Sequence, residues 1–450
     1  MNTPICDFVR EYADSNNIRM HMPGHKGSPL LGCEPLDITE IAGADELLAP
    51  NSIIAESEQN ASALFGCRTL YSAEGSSLCI RAMLYLAMQY AAEQGRKPII
   101  LAARNVHKAF LTAAVLLDFE IIWLSPAVGE DYLRCTVTAD SVKAACDNAQ
   151  ESPAALYVTS PDYLGSIADI QALADYCHRN GMLLLCDNAH GAYLRFLPQS
   201  MHPADLGADI CCDSAHKTLP VLTGGAYLHI ADAAPEICKA RARQAMSLFA
   251  STSPSYLILQ SLDRCNTALA GEYRKMLSET TASLMKCKEK LTAKGFTLCG
   301  NEPLKMTISA KAYGFTGNAL ADILRNHGIE CEFADSDSLV LMPSPYLSPE
   351  KIQYTVDVLC EIPRRPEITE RPPQIPQPEI VCTPREALLG TSVTLPLEQC
   401  IGRVCAEIAV SCPPAIPVVI CGERITENTA AALAYYGADT CAVLDKPPVR

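Results

Sequence analysis

The sequence predicts an α/β fold with a mostly parallel sheet, and three observations support this prediction. From Tyr71 to about Leu262, helical patterns alternate with short apolar runs of strand length. Several of these runs end in a charged or polar turn, which is where open α/β sheets bind their ligands. Beyond them, a smaller α/β region and a proline-rich stretch precede a short C-terminal piece.

The elements of the predicted sheet follow one another at regular intervals. Apolar runs of about four to eight residues bounded by turn residues indicate buried strands, and longer runs with one apolar face indicate helices. In chain order these are helix Ser77–Gln94, strand Pro98–Leu101, helix His107–Leu117, strand Ala155–Thr159, helix Ile170–Asn180, strand Met182–Cys186, strand Ala208–Cys212 and strand Thr223–Ile230.

Shifts in composition divide the chain into five predicted parts. They are an irregular N-terminal segment at 1–60, a large domain at 61–265, a small α/β domain at 266–362, a linker at 363–379 and a C-terminal domain at 380–450. The small domain has a long charged helix, a strand near Lys305–Ser309, a helix Asn318–Asn326 and strands around Cys331–Met342. The linker contains six prolines, which predict a semi-rigid connection. The last part, with apolar runs at Ile408–Val410 and Val418–Cys421, is short for a core of its own and is expected to dock on the rest.

The composition bounds the class of protein. A hydrophobic content of 49% and a charged content of 19% are typical of a compact enzyme. The net charge of −15 argues against nucleic acid or an anionic membrane as a partner. Although the chain has 22 cysteines, none are spaced Cys-x-x-Cys, so we predict no metal site. Because no signal peptide or membrane span is evident, the chain is predicted to be cytoplasmic with reduced thiols.

The turn that contains Lys217 is the first candidate site. It lies between two predicted strands, and Ser214 and His216 flank the lysine. A lysine in this setting suits a covalent link to the aldehyde of pyridoxal phosphate, with Ser214 and His216 holding the phosphate. The alternative is an ordinary solvated lysine, which a Ser-x-His-Lys sequence alone does not exclude.

Asp187 ends another predicted strand thirty residues earlier and supplies the second half of the constellation. An ionised carboxylate against the pyridine nitrogen of the cofactor keeps that nitrogen protonated, which stabilises a carbanion at the substrate Cα. The alternative is an aspartate that caps the following turn. Because Lys217 is also present, the sequence favours the cofactor role for Asp187 over the capping role.

Three further segments complete the predicted site. Gly75, Ser76 and Ser77 lead into a helix, whose amino terminus favours phosphate; an ordinary serine N-cap is the alternative. His107 follows a strand and would lie over the pyridine ring, unless it is a packed or surface histidine. Thr159–Gly165 also closes a strand and is placed for the cofactor rim, with a plain loop as the alternative.

Taken together, these segments resemble the Orn/Lys/Arg decarboxylase family over almost the whole chain. The resemblance rests on ordered blocks: His21–Gly27, Asp37–Glu40, Asp45–Leu47, Arg104–Lys108, Thr159–Pro161, Asp187–Ala192, Ser214–Pro220, Pro384–Ala387, Gly402–Arg403, Pro413–Pro417 and Gly422–Glu423. It implies the aspartate-aminotransferase type of fold, known as fold type I, and a large domain that binds pyridoxal phosphate.

The resemblance also implies a role for each candidate residue. Lys217 would carry the cofactor, Asp187 would meet the pyridine nitrogen and His107 would stack on the ring. His190 would lie near the ring face or the lysine. The phosphate would be held by Gly75, Ser76, Ser77, Ser214 and His216. Members of the family are homodimers or larger assemblies, and the segment His21–Gly27 is expected to dock near a partner subunit's site.

Several positions depart from the usual motifs of the family. The residues that differ are Cys79, Ile80, Asp162, Asn188, Tyr193, Gly224, Ala415 and Cys421. Every group expected to touch the ring survives, so the cofactor chemistry is predicted to be intact.

The predicted function is decarboxylation of arginine, lysine or ornithine to an amine that enters polyamine metabolism, with release of CO₂. Lys217 and His190 are the candidates for the acid that returns a proton to the substrate. Glu332 and Asp335, in a predicted apolar strand, are candidate counter-ions for the distal cation of the substrate, with solvated edge charges as the alternative. His25 is a further substrate candidate. An aminotransferase or another lyase on the same fold remains open, as does a divergent paralogue with little turnover.

Overall fold

The computed structural model describes residues 1–126, 129–374, 377–408 and 415–446. They form two compact units. Unit 1 comprises Met1–Pro98, Pro153–Ser160 and Asp169–Ser278, and unit 2 comprises Ile99–Ser152, Pro161–Ala168 and Glu279–Arg450. No helix among the described residues combines the length and apolar character needed to cross a membrane.

Fifteen α-helices occur in the described residues. In chain order they are α1 (Pro4–Asp14), α2 (Ile53–Phe65), α3 (Gly75–Glu93), α4 (Lys108–Leu117), α5 (Ala139–Asn148), α6 (Ile170–Arg179), α7 (Ala215–Thr218), α8 (Glu236–Ser247), α9 (Tyr256–Ala270), α10 (Tyr273–Lys294), α11 (Gly317–Asn326), α12 (Pro349–Glu361), α13 (Pro384–Leu389), α14 (Leu397–Cys400) and α15 (Glu427–Tyr435).

Thirteen strands occur in the same residues. They are β1 (Arg68–Ser72), β2 (Ile99–Ala103), β3 (Glu120–Leu124), β4 (Ala155–Thr159), β5 (Leu183–Asp187), β6 (Ile210–Asp213), β7 (Ala226–Ile230), β8 (Thr297–Cys299), β9 (Met306–Ser309), β10 (Phe333–Ala334), β11 (Ser338–Leu341), β12 (Ser392–Pro396) and β13 (Thr440–Leu444).

The sheet of unit 1 has the strand order β1-β7-β6-β5-β4. Strands β4, β5 and β6 are parallel, and β7 is antiparallel to both of its neighbours. Strand β5 reads Leu-Leu-Leu-Cys-Asp and is buried throughout, as expected for a parallel strand covered on both faces. Since Thr159 pairs with Asp187, and Asp187 with Cys212, the carboxyl ends of the three parallel strands meet at one edge.

Unit 2 contains one parallel pair of strands and two smaller antiparallel sheets. Strands β2 and β3 form a parallel pair, and β10, β11, β9 and β8 form an antiparallel sheet in that order. Strands β12 and β13 form an antiparallel pair near the end of the described chain. Residues Leu397, Cys400, Cys405, Val419, Ile425, Ala430, Cys441 and Val443 form a buried core around that pair.

The predicted α/β architecture is confirmed, and most predicted bounds agree to within about three residues. The prediction of irregular structure at 1–60 is wrong, because α1 and most of α2 lie there. The residues before β7 include a four-residue helix, α7, rather than a turn alone. The apolar run Val418–Cys421 forms no strand, and the run at 408–410 lies partly outside the described residues.

Candidate active site

Asp187 is the last residue of β5, and its carboxylate is buried at the carboxyl end of that strand. The hydroxyl of Tyr157 donates to Oδ2 at 3.1 Å, and the N–H of Ala189 donates to Oδ1 at 3.2 Å. Burial raises the pKa of this carboxyl, while the positive charge of Lys217 lowers it. A cationic N–H donor at this place would therefore stabilise the ionised form.

Lys217 lies on α7, and its Nζ is 3.1 Å from Nε2 of His190. His190 is buried, whereas Lys217 is half-buried. The two residues are distant in sequence and meet because β5 and β6 are parallel neighbours. An amine and an imidazole at this distance can exchange a proton directly.

The turn that carries Lys217 is fixed by hydrogen bonds to the residues before β7. The carbonyl of Gly225 accepts from the backbone N–H of His216 at 3.2 Å and from its ring Nδ1 at 3.0 Å. The Lys217 N–H donates to Ser214 O at 3.0 Å. Burial lowers the pKa of His216. Because a carbonyl only accepts, Nδ1 of His216 donates to it, and Nε2 can donate only in the imidazolium form, which a bound anion would favour.

The segment that begins α3 has the geometry of an anion-binding loop. Gly75 has a φ of +70°, and a Cβ there would meet nothing within 4 Å, so space lies open in front of it. The Gly75 N–H donates to Gly224 O at 2.7 Å, and the Ser214 hydroxyl donates to Ser76 Oγ at 2.8 Å. Ser77 follows within the first turn of α3. Hydroxyls and the amino end of a long helix favour a phosphate group.

A buried hydrogen-bond network behind Lys217 was missed by the sequence analysis. The carboxylate of Asp213 accepts from Nε2 of His202 at 3.1 Å, from Nε2 of His229 at 3.0 Å and from Nδ2 of Asn188 at 2.6 Å. All four side chains are buried. Asn188 lies in the block Asp187–Ala192, but that block gives no indication of its partner. The four residues come from different elements, so their spacing gave no signal.

The charge states within this network follow from its geometry. Burial alone raises the pKa of Asp213, but attraction and hydrogen bonds from His202 and His229 hold it well below its usual range. Burial lowers the pKa of His229. An ionised carboxylate only accepts, so both imidazoles donate from Nε2. Nδ1 of His202 accepts from the N–H of Ala204, and Nδ1 of His229 lies 2.9 Å from the Thr69 hydroxyl.

The structure accounts for two of the departures from the usual motifs. Asn188 offers the amide donor that the Asp213 carboxylate requires. Gly224 has a φ of +100°, and a Cβ there would lie 3.0 Å from Ile258 Cδ1 and 3.2 Å from Ala73 O. Its carbonyl accepts from the Gly75 N–H, so glycine at 224 maintains the turn that begins α3. Three other departing residues, Cys79, Ile80 and Tyr193, are fully buried.

The remaining candidates belong to other elements of the fold. In unit 2, His107 is the N-cap of α4, and its Nδ1 accepts from the Ala109 N–H at 3.1 Å. Glu332 and Asp335 flank the two-residue strand β10 rather than lying within a longer strand, which corrects the prediction. In unit 1, His25 Nε2 is 3.2 Å from Asp37 Oδ2.

The two candidate counter-ions differ in their surroundings. Glu332 is exposed, and Oε1 accepts from the hydroxyl of Tyr163 at 3.0 Å. Oδ1 of Asp335 accepts from the N–H groups of Asp337 and Ser338, which closes a tight turn. Burial raises the pKa of Asp335 to about 6.

The chain has the fold-type I architecture, and its family match and relatives make it an amino-acid decarboxylase. The chain belongs to the Orn/Lys/Arg decarboxylase family. Residues 3–300 match the Orn/Lys/Arg decarboxylase major domain, and residues 372–442 match the Orn/Lys/Arg decarboxylase C-terminal domain. The resemblance drawn from the sequence is thereby confirmed.

Individual relatives and solved structures agree with this membership. Arginine decarboxylases of Bacillus subtilis and Halalkalibacterium halodurans are 30% and 29% identical to the chain. Both alignments cover 95% of this chain and 92% of the relative. Lysine decarboxylase A from Pseudomonas aeruginosa superposes with a TM-score of 0.80 at 19% identity, covering 98% of this chain and 80% of that one. The Francisella novicida lysine decarboxylase LdcF gives 0.79 at 19% identity, covering 98% and 81%. These two structures establish the fold.

Proposed function

We propose that the chain is a pyridoxal-phosphate-dependent decarboxylase of a basic amino acid, with arginine as its first candidate substrate. The pair formed by Lys217 and His190, 3.1 Å apart and beside the buried carboxylate of Asp187, carries this proposal. Relatives named arginine decarboxylase support arginine ahead of lysine and ornithine.

The residues of unit 1 fit the cofactor at both of its ends. The open space before Gly75 and the hydroxyls of Ser76 and Ser214 suit a phosphate. Asp187, whose pKa burial raises, gains a partner in a protonated pyridine nitrogen. Ser77 and His216 would complete the phosphate site, and His107 would stack on the ring.

Each side chain then has a defined task. When bound, pyridoxal phosphate supplies an electron sink for the pair of electrons left on the substrate Cα as CO₂ departs. Lys217 would hold the cofactor through Nζ, which lies 3.1 Å from Nε2 of His190. Either Nζ of Lys217 or Nε2 of His190 then delivers a proton to that carbon, because the two atoms share a hydrogen bond. Asp187 keeps its negative charge throughout.

The distal cation of the substrate is assigned to Glu332 rather than Asp335. The carboxylate of Glu332 is exposed, so it can take a guanidinium or ammonium partner. Oδ1 of Asp335 already accepts two backbone N–H groups. His25, held by Asp37, would contribute from the N-terminal segment.

The wider context of the enzyme is part of the same proposal. We infer a homodimer or larger homo-oligomer in the cytoplasm, without nucleic acid, whose amine product enters polyamine metabolism. The predicted domains, with the small domain at 266–362 and the linker at 363–379, remain part of this proposal. Sedimentation at assay concentration tests the assembly, and a fully active monomer would contradict it.

The test of function is a screen of the purified protein for CO₂ release and α-keto-acid formation with arginine, lysine and ornithine. We expect CO₂ release without keto acid, and a cofactor absorption band that Lys217→Ala abolishes. Borohydride reduction followed by mass spectrometry should place the adduct on Lys217. An adduct on another lysine, or formation of keto acid alone, would refute the assignment.

A further inference from the structure

Helix α4 of unit 2 is held at its amino end by residues from the end of the chain, which we call the C-terminal module (380–408 and 415–446). Arg104, three residues before His107, forms a two-point ion pair with Glu423. Nη2 of Arg104 lies 3.0 Å from Oε2 of Glu423, and the side chains are only 10% and 3% exposed. The second hydrogen bond of the pair joins Nη1 of Arg104 to Oε1 of Glu423.

A second contact from the module reaches the first residue of the helix. The N–H of Lys108 donates to the carbonyl of Ala415 at 2.9 Å. The first N–H groups of a helix have no partner within it, so this carbonyl satisfies one of them. The module therefore caps the amino end of α4 as well as pairing with the residue that leads into it.

The carboxyl end of α4 is held by the same module. Arg385 of α13 donates from Nη1 to the carbonyls of Val115 and Leu116, at 3.0 Å and 3.2 Å. These are carbonyls that the helix itself leaves without partners. A cation at this end also interacts favourably with the helix dipole. Both ends of the ten-residue helix thus depend on the C-terminal module.

The position of α4 determines the position of His107. The histidine is the N-cap of the helix, and its Nδ1 accepts from the Ala109 N–H, so the ring cannot turn independently of the first helical turn. We propose that the C-terminal module sets the position of His107 within unit 2, through Glu423 at one end of α4 and Arg385 at the other. This inference rests on the proposed function, since it takes the ring of His107 to stack on the cofactor.

The chemistry of the Arg104–Glu423 ion pair indicates that it fixes the orientation of α4 and does more than hold two surfaces together. Burying two charges is costly, and apolar residues of the same volume often hold two surfaces together equally well. A bidentate guanidinium–carboxylate pair differs because its two parallel bonds fix an angle as well as a distance. Glu423 is itself fixed, since its Oε2 accepts from the N–H of Ile420 at 3.0 Å.

The test compares Glu423→Gln with Glu379→Gln. Both changes remove a two-point pair with an arginine, but the pair of Glu379 with Arg424 is exposed and joins the last residue of the linker to the module, away from α4. In the cofactor-free protein, we expect amide hydrogen exchange over 104–118 to accelerate about 10-fold in Glu423→Gln and to stay unchanged in Glu379→Gln. Titration by absorption should show about a 10-fold weaker Kd for pyridoxal phosphate in Glu423→Gln alone, the order expected for losing one ring contact.

A second variant, Arg385→Met, keeps the proposal testable if Glu423→Gln fails to fold. Arg385→Met leaves the Arg104–Glu423 pair in place and should accelerate exchange at 113–118, and Arg385→Lys should restore most of the protection. Unchanged hydrogen exchange in both variants would contradict the claim that the C-terminal module stabilises both ends of α4. Faster exchange with unchanged cofactor affinity would overturn the positioning role. If the wild-type protein binds no pyridoxal phosphate, the proposed function fails, while the exchange data still decide whether the module holds α4.

Discussion

Asn188 donates a 2.6 Å hydrogen bond to the carboxylate of Asp213, and this contact joins the ends of the two strands that bring Asp187 and Lys217 together. The backbone reinforces it, because the Asn188 N–H donates to the carbonyl of Cys212 at 3.0 Å. The residue at 188 is one of those that depart from the usual family motif. In this chain an amide is required, since a second carboxylate would face an ionised Asp213.

The first prediction concerns that requirement. Asn188→Glu should lower the free energy of unfolding by about 3 kcal/mol, because it leaves a buried charge without a partner. Urea unfolding of the cofactor-free protein measures this, with Asn180→Glu, at an exposed position, as the control. The double variant Asn188→Glu/Asp213→Asn exchanges donor and acceptor and should recover part of the loss. A glutamate tolerated without cost would contradict the charge state of Asp213.

The second prediction is a pH dependence that originates in His229. Because burial lowers the pKa of this imidazole, the folded state keeps it neutral where the unfolded chain binds a proton. Its contribution is therefore complete above the unfolded pKa of about 6.5 and is lost as the pH falls below that value. Between pH 7.5 and 5.5, stability should fall about 1 kcal/mol more in the wild type than in His229→Gln. Equal losses would mean that His229 is already charged in the folded state.

The third prediction tests the role of Asp187. Asp187→Asn keeps the size of the side chain but removes the charge opposite the cofactor nitrogen. If about 2–4 kcal/mol of carbanion stabilisation is lost, the decarboxylation rate should fall roughly 10²–10³-fold. Asp209→Asn is a matched control, since Asp209 is also buried and burial also raises its pKa. Unlike Asp187, Asp209 accepts a hydrogen bond from the Leu184 N–H at the start of β5. Near-normal turnover in Asp187→Asn would assign the ring nitrogen to another group.

The sequence predicted the parts of the site that follow strands. Asp187 and Lys217 were found because each follows an apolar run, and parallel strands bring such ends to one edge. The network around Asp213 was not predicted, because His202, His229 and Asn188 come from separate elements. The motif that includes Asn188 gives no indication of which residue its side chain contacts. Helix α1 was not predicted because the glycines and prolines just after it dominate the pattern of 1–60, although Ile5 and Val9 lie four residues apart and are buried.

The fourth prediction concerns the anion-binding loop. Gly224→Ala should weaken binding of pyridoxal phosphate about 10-fold, because a Cβ at φ +100° is strained and presses on Ala73 and Ile258. The strain would shift the carbonyl that holds Gly75. Gly95→Ala is the control: Gly95 also has a positive φ, but a Cβ there meets nothing within 4 Å. Absorption titration measures the affinity of both variants for pyridoxal phosphate. Equal affinity in the two would mean that Gly224 does not contribute to the phosphate site.

The last prediction concerns Ala415, where the family motif usually has glycine. Its φ is +61°, a left-handed conformation that costs an alanine about 1 kcal/mol relative to glycine. Ala415→Gly should therefore raise the free energy of unfolding by up to about 1 kcal/mol, less the extra entropy that glycine gives the unfolded chain. Ala406→Gly is the control, because Ala406 lies in the same module without a positive φ and should lose stability on the same change.

The same variant has a second readout, because the carbonyl of Ala415 accepts from the Lys108 N–H at the start of α4. Relief of strain without movement of that carbonyl should leave exchange at 104–118 unchanged or slower. Faster exchange there, together with greater stability, would mean that the left-handed alanine is retained to hold the carbonyl against α4. The strain at 415 would then belong to the positioning of His107 rather than being a tolerated imperfection.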